Sequence, residues 1–133
     1  MTDWTWNERE SEWVRYSAVA DASLVVAGTR EFPDTLLCTA ALSLVENAGK
    51  VKETIAAYLT RIPIQVDNSD GRVSVVVHPE RPSHIGIVNI EFRDLAQPNL
   101  ARVLVVTEYP DPYYLYDVRL DGMSSVGVQG GFW

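Results

Sequence analysis

From Leu36 onward, apolar residues recur every three to four positions: Leu36, Leu37, Ala40, Ala41, Leu44, Val45 and Ala48. That spacing lines one stripe of a helix, so a helix is predicted over Asp34–Ala48. Pro33 suits its entry because the fixed φ of proline matches a first helical turn. Asp34 complements the positive end of the helix dipole, and Gly49 supplies the stop. A second amphipathic stretch runs from Lys50 to Arg61, with Val51, Ile55, Tyr58, Leu59 and Ile62 as its apolar face and Pro63 as its terminator. Two such helices joined by a tight connection predict an αα-hairpin.

The rest of the chain carries the shorter period of β-structure. Trp13–Val19 and Ser23–Ala27 are predicted strands, with Asp21 in the turn and Gly28 at the strand end. After Pro63, Ile64–Val66 and the valine-rich Arg72–His78 flank the turn sequence Asn68-Ser69-Asp70-Gly71. Between Ile85 and Phe92 the apolar positions change parity, falling at 85 and 87 and then at 90 and 92. One extra residue swaps the faces of a strand, so a β-bulge is predicted near Val88-Asn89. Val103–Glu108 is apolar without alternation and reads as a central strand covered on both sides. Tyr114, Tyr116, Val118 and Leu120 alternate with their neighbours, and Asp121-Gly122 turns the chain into a last strand near Ser124–Gln129.

These elements give a single α+β domain over residues 1–133, in the order ββ-αα-βββββ. Short turns between successive strands favour an antiparallel meander, with the αα-hairpin burying its two stripes on one face. Residues 1–12 read as a flexible or edge segment. The C-terminal Phe132-Trp133 either tucks into the sheet or joins a dimer contact, and the sequence does not choose between them.

The 133 residues are 47% hydrophobic and 22% charged, which excludes a mainly disordered chain. A lone cysteine, Cys38, excludes an internal disulfide framework. The first residues lack the basic start and apolar run of a secretory signal, and Val103–Val106 is far too short to span a bilayer. The expected compartment is therefore cytoplasmic, with no membrane partner. A net charge of −7 disfavours nucleic acid as a partner. The negative charge is concentrated in two aromatic-rich stretches. One holds Asp3, Glu8, Glu10 and Glu12, the other Glu108, Asp111, Asp117 and Asp121.

The residues with catalytic chemistry do not assemble into a motif. His78 and His84, with Glu80 between them, have ligand chemistry, but Pro79 and Pro82 deny the segment a fixed geometry. Cys38 lies beside apolar helix positions with no histidine near in sequence, which reads as a structural thiol. No Gly-x-Ser-x-Gly, Walker A or GxGxxG motif is present. No catalytic residue, metal site or cofactor is expected.

The distinctive stretch is Glu108-Tyr109-Pro110-Asp111-Pro112-Tyr113-Tyr114-Leu115-Tyr116-Asp117. Tyrosine offers a large apolar area with a polar tip and few rotors, which suits interface cores. Flanking prolines lower the ordering cost of a loop, and the acids would suit a basic partner. Glu108, Tyr109, Asp111, Tyr113 and Asp117 are therefore the candidate partner-binding residues, with residues 3–12 as a second contributing stretch. The plainer reading is a turn with Tyr114 and Tyr116 in the core and solubility charge at its rim.

A strand pair, an αα-hairpin (Asp34–Ala48, Val51–Arg61) and an antiparallel meander in a small acidic chain together resemble the small immunity proteins of bacterial polymorphic-toxin and secretion-delivered toxin systems. The likeness spans residues 13–128 as a pattern of elements. It implies a non-enzymatic protein that binds a cognate toxin and blocks its active site; the acidic, tyrosine-bearing surface suits a basic one. The alternatives are a structural or adaptor subunit of a phage or secretion assembly, self-associating as a homodimer through its sheet edges, and a small hydrolase using His78 or His84.

Overall fold

The computed structural model describes residues 3–61, 64–67, 70–76, 85–107, 114–122 and 124–132. Three strands come first: β1 (Thr5–Asn7), β2 (Glu12–Ser17) and β3 (Ala22–Val26). Helices α1 (Thr35–Glu46) and α2 (Ala48–Arg61) follow. Then come β4 (Ile64–Asp67), β5 (Val73–Val76), β6 (Ile85–Phe92), β7 (Leu100–Thr107), β8 (Tyr114–Asp121) and β9 (Ser124–Phe132). The class is α+β. The order departs from ββ-αα-βββββ, with three strands before the helices and six after them.

Seven strands form one sheet in the order β1-β2-β3-β6-β7-β8-β9, while β4 and β5 pair separately. Neighbours in the large sheet are antiparallel except β3 and β6, which run parallel with Leu24 opposite Ile90. A simple meander is therefore interrupted at one place. The long connection through α1 and α2 supplies the crossover that a parallel pair requires.

The inner face of the sheet is continuous across these strands. Leu24, Ile90, Val103 and Val118 share one row, and Val26 with Phe92, Ala101 with Leu120, and Val105 with Tyr116 fill the rows beside it. All are fully or almost fully buried. Against them α1 sets Leu37, Ala41, Leu44 and Val45, and α2 sets Val51, Ile55, Ala56 and Leu59. Leu36, expected in the stripe, is instead largely exposed, because Leu37 takes the inward position at the first turn. The run in β7 is likewise buried on one side only: Val103 and Val105 face the helices, while Leu104 and Val106 remain half-buried on the other.

Local signals fix the element ends. Asp34 is the N-cap of α1, its Oδ1 accepting from the Leu37 amide at 3.0 Å. The helix breaks at Asn47, whose amide donates back to Leu44 and whose Nδ2 donates to the Ser43 carbonyl. Gly49 is not the stop. It lies inside α2, where a one-residue break lets the second helix begin at once. The predicted bulge in β6 is present, since the register against β7 shifts between Ile87 and Asn89 and thereby keeps Ile85, Ile87, Ile90 and Phe92 all buried.

Residues 5–7 form an edge strand. Trp4 and Trp13 join the core, Trp6 packs on Trp13 with ring centroids 5.4 Å apart, and Trp13 Nε1 donates to the Thr29 carbonyl at 2.7 Å. The first tryptophans are thus buried structure, because pairing with β2 carries them over the sheet edge.

Candidate partner-binding surface

The register defines one end of the sheet, where Ile85, Thr107, Tyr114 and Phe132 stand side by side across β6 to β9. Of the sequence-predicted residues, Glu108, Tyr109, Asp111 and Tyr113 lie outside the described residues, as do His78 and His84. The strands on either side of residues 108–113 are firmly held. Thr107 pairs with Tyr114, and Val103, Val105, Tyr116 and Val118 are fully buried beneath them.

Asp117 lies three residues along β8 from Tyr114, about 10 Å further into the sheet. Alternation points it to the face away from the helices. There its Oδ2 accepts from Arg102 Nε at 2.6 Å, and its Oδ1 is buried with no hydrogen-bond partner. The carboxylate is committed within the fold and does not stand out as a free charge.

Arg102 also approaches Glu91, with Nη1 3.7 Å from Oε2. Glu91 Oε1 is 2.5 Å from Arg93 Nη2, which is in turn 2.7 Å from Glu12 Oε2. Five side chains from β2, β6, β7, β8 and the residue after β6 thus alternate in charge across the outer face. Glu12 and Glu91 are largely buried, whereas both arginines are half-exposed. Burial is the main influence pushing the Glu12 carboxyl above its ordinary pKa of 4.5; Arg93 opposes this, and Glu91 and Glu10 add to it. The sequence hid this chain because its partners are far apart until the sheet brings them together. Alternating spacing in the β7–β8 hairpin was the available clue for Arg102 and Asp117.

The acids of the N-terminal stretch are also partnered: Asp3 with Arg15 at 3.4 Å, Glu8 with Arg30 at 2.5 Å and Glu12 with Arg93. Glu10 lies 4.0 Å from Arg9 at a highly exposed site, where the pair contributes little.

Cys38 packs at the edge of the core as a free, half-buried thiol. Burial, and then the nearby Asp34, push its pKa upward against a smaller opposing effect from Arg15. This holds it protonated, the reverse of what a nucleophile needs. Among the described residues no group of three or more His, Cys, Asp or Glu is placed to hold a metal ion. No helix among them is long and apolar enough to cross a membrane.

On the helix side, a groove of about 420 Å³ runs between α1 and the turns that follow β6 and β8. Leu36, Ala40 and Ser43 line one wall, and Phe92, Pro98 and Gly122 the other. No protein family, curated protein or solved structure matches the chain.

Proposed function

We propose that the protein is a non-enzymatic binding protein of the immunity type, which neutralises a basic toxin through an acidic, tyrosine-rich surface at the β7–β8 connection. The observation that supports this reading is the pairing of Thr107 with Tyr114. It anchors both ends of the six-residue segment carrying Glu108, Tyr109, Asp111 and Tyr113. Binding residues work best on short connections held by a rigid scaffold, and the strands here are rooted by fully buried side chains. An overall charge of −7 favours encounter with a basic protein. The binding residues in this reading are Glu108, Tyr109, Asp111 and Tyr113, while Asp117 is paired with Arg102.

Capture from the native cell extract tests it, with the wild-type chain and an Asp111→Lys/Tyr113→Ala variant as parallel baits. The expected result is one basic protein retained by the wild type and lost with the variant. Equal recovery on both baits would remove this surface from the interface.

A second reading, a self-associating structural or adaptor subunit, draws on β9, a nine-residue strand at the edge of the large sheet. Edge strands present unpaired backbone groups to which another copy can add. Sedimentation velocity separates the two readings, since this one requires a concentration-dependent dimer.

A further inference from the structure

Three arginines share one cleft on the outer face of the sheet. The cleft has a volume of about 230 Å³ and is lined by Arg93, Arg102 and Arg119 together with Glu91, Asp94 and Leu100. Arg93 follows β6, Arg102 lies on β7 and Arg119 on β8. Arg102 and Arg119 stand directly opposite each other in the ladder. Like charges so placed destabilise a sheet, and an anion between them relieves the repulsion.

The acids of this region are already committed within the fold. Glu91 is buried between Arg93 and Arg102, and Asp94 Oδ1 accepts from the Ala96 and Gln97 amides. Asp117 takes Arg102 through Nε, and Glu91 stays 3.7 Å from Nη1, so both Nη groups of Arg102 lack a hydrogen-bond acceptor among the described residues. Arg119 is exposed, and its side chain has no acidic partner among the described residues, although Asp121 lies two residues along β8 on the same face. Gly127 pairs with Arg119 across the β8–β9 ladder and has no side chain to answer it; a Cβ there would meet nothing within 4 Å.

We propose that this cleft binds a phosphate group, free or as the monoester of a small molecule, with Arg119 and Arg102 as the main donors and Arg93 as a third. A guanidinium fork donates two charge-assisted hydrogen bonds to one anionic group. A planar carboxylate fills one such fork, whereas a tetrahedral phosphate has oxygens for several. The cleft is smaller than the roughly 300–1,000 Å³ of pockets that enclose a whole drug-sized ligand, so it takes the charged group and leaves the remainder outside. Long polyanions are poor occupants, because the chain's charge of −7 repels whatever extends beyond the arginines. The site is separate from residues 108–113, since Arg119 lies five residues along β8 from Tyr114, about 17 Å away.

Titration of the isotope-labelled full chain with inorganic phosphate at pH 8 and fixed ionic strength, followed by amide chemical shifts, tests this. Saturable shifts at Arg93, Arg102 and Arg119 are expected, with acetate binding at least about tenfold more weakly. Glycerol 3-phosphate is the second ligand: tighter binding than inorganic phosphate supports a monoester as the source, and equal binding supports the free ion. Arg119→Gln breaks no ion pair among the described residues and should weaken phosphate binding at least about tenfold. Gly127→Glu sets a carboxylate opposite Arg119 and should weaken binding by a similar factor, through competition for the same guanidinium. Shifts that fail to saturate, that scatter over the surface or that persist unchanged in Arg119→Gln would overturn the proposal, leaving only non-specific ion binding. Acetate binding as tightly as phosphate would overturn it by removing the preference for a tetrahedral anion.

Discussion

Arg102 on β7 and Asp117 on β8 are diagonal neighbours on the outer face of the sheet, joined by a hydrogen bond of 2.6 Å from Nε to Oδ2. Arg102 also stands directly opposite Arg119 in the ladder. Two like charges in that position repel, and the carboxylate between the strands offsets the repulsion. A double-mutant cycle of Arg102→Ala and Asp117→Ala should give a coupling of about 0.5–1 kcal/mol, discounted because Arg102 is half-exposed. Denaturant melts of the four proteins measure it, and strictly additive losses would show that the pair contributes nothing.

Glu12 makes stability depend on pH in a definite direction. Its folded pKa is raised, so in the window just above 4.5 the folded state binds more protons than the unfolded chain. Glu12 therefore favours the fold at the acid side of that window, and this contribution is lost as pH rises through the folded pKa. Glu12→Gln should be at least as stable as the wild type at pH 8, with the gap closing on acidification toward pH 4. A wild type more stable than the variant at pH 8 would mean that the Arg93 ion pair outweighs the cost of burial.

Gly28 is required by close approach. A Cβ there would lie 2.5 Å from the Phe32 carbonyl oxygen and 2.7 Å from Pro33 Cα, both main-chain atoms of the turn that delivers Asp34 to the N-cap. Gly28→Ala should cost about 2 kcal/mol or more, read from thermal or urea melts. Gly49, which has open space around it, should accept alanine with a gain of up to about 1 kcal/mol, as expected inside a helix.

Cys38 should react slowly with a disulfide reagent at pH 8 in the folded protein and much faster in denaturant. Its half-buried thiol has a raised pKa, so little thiolate forms. Rapid labelling of the folded state would show that α1 opens readily at its edge.

Tyr116 is completely buried on the inner face opposite Val105. Tyr116→Ala should destabilise the protein by about 3–5 kcal/mol, the range for removing a large aromatic from a core. A loss near 1 kcal/mol would show that the sheet and helices close over the space.

Elements whose signal is local were legible in the chain itself. The period of 3.6 located α1 and α2, the change of parity at Val88-Asn89 located the bulge, and the alternation of Tyr116, Val118 and Leu120 identified their inward face. Asp21, expected in a turn, adopts φ +50° between β2 and β3. These features depend on neighbours a few residues apart, where backbone geometry alone fixes which side chains share a face. The break between the helices was misassigned to Gly49 because a glycine tolerated inside a helix and a glycine ending one look alike in sequence.

What the tertiary structure decided depends on residues distant in the chain. The parallel pairing of β3 with β6, the edge strand that buries Trp4, and the inward choice of Leu37 over Leu36 all follow from packing against partners more than a turn away. The same holds for charge. The sequence showed an excess of acids around Asp117 and in residues 3–12, but only the folded sheet matched Asp117 with Arg102 and Glu12 with Arg93. Composition fixes how much charge a chain carries, whereas the register of its strands decides which charges neutralise one another and which remain for a partner.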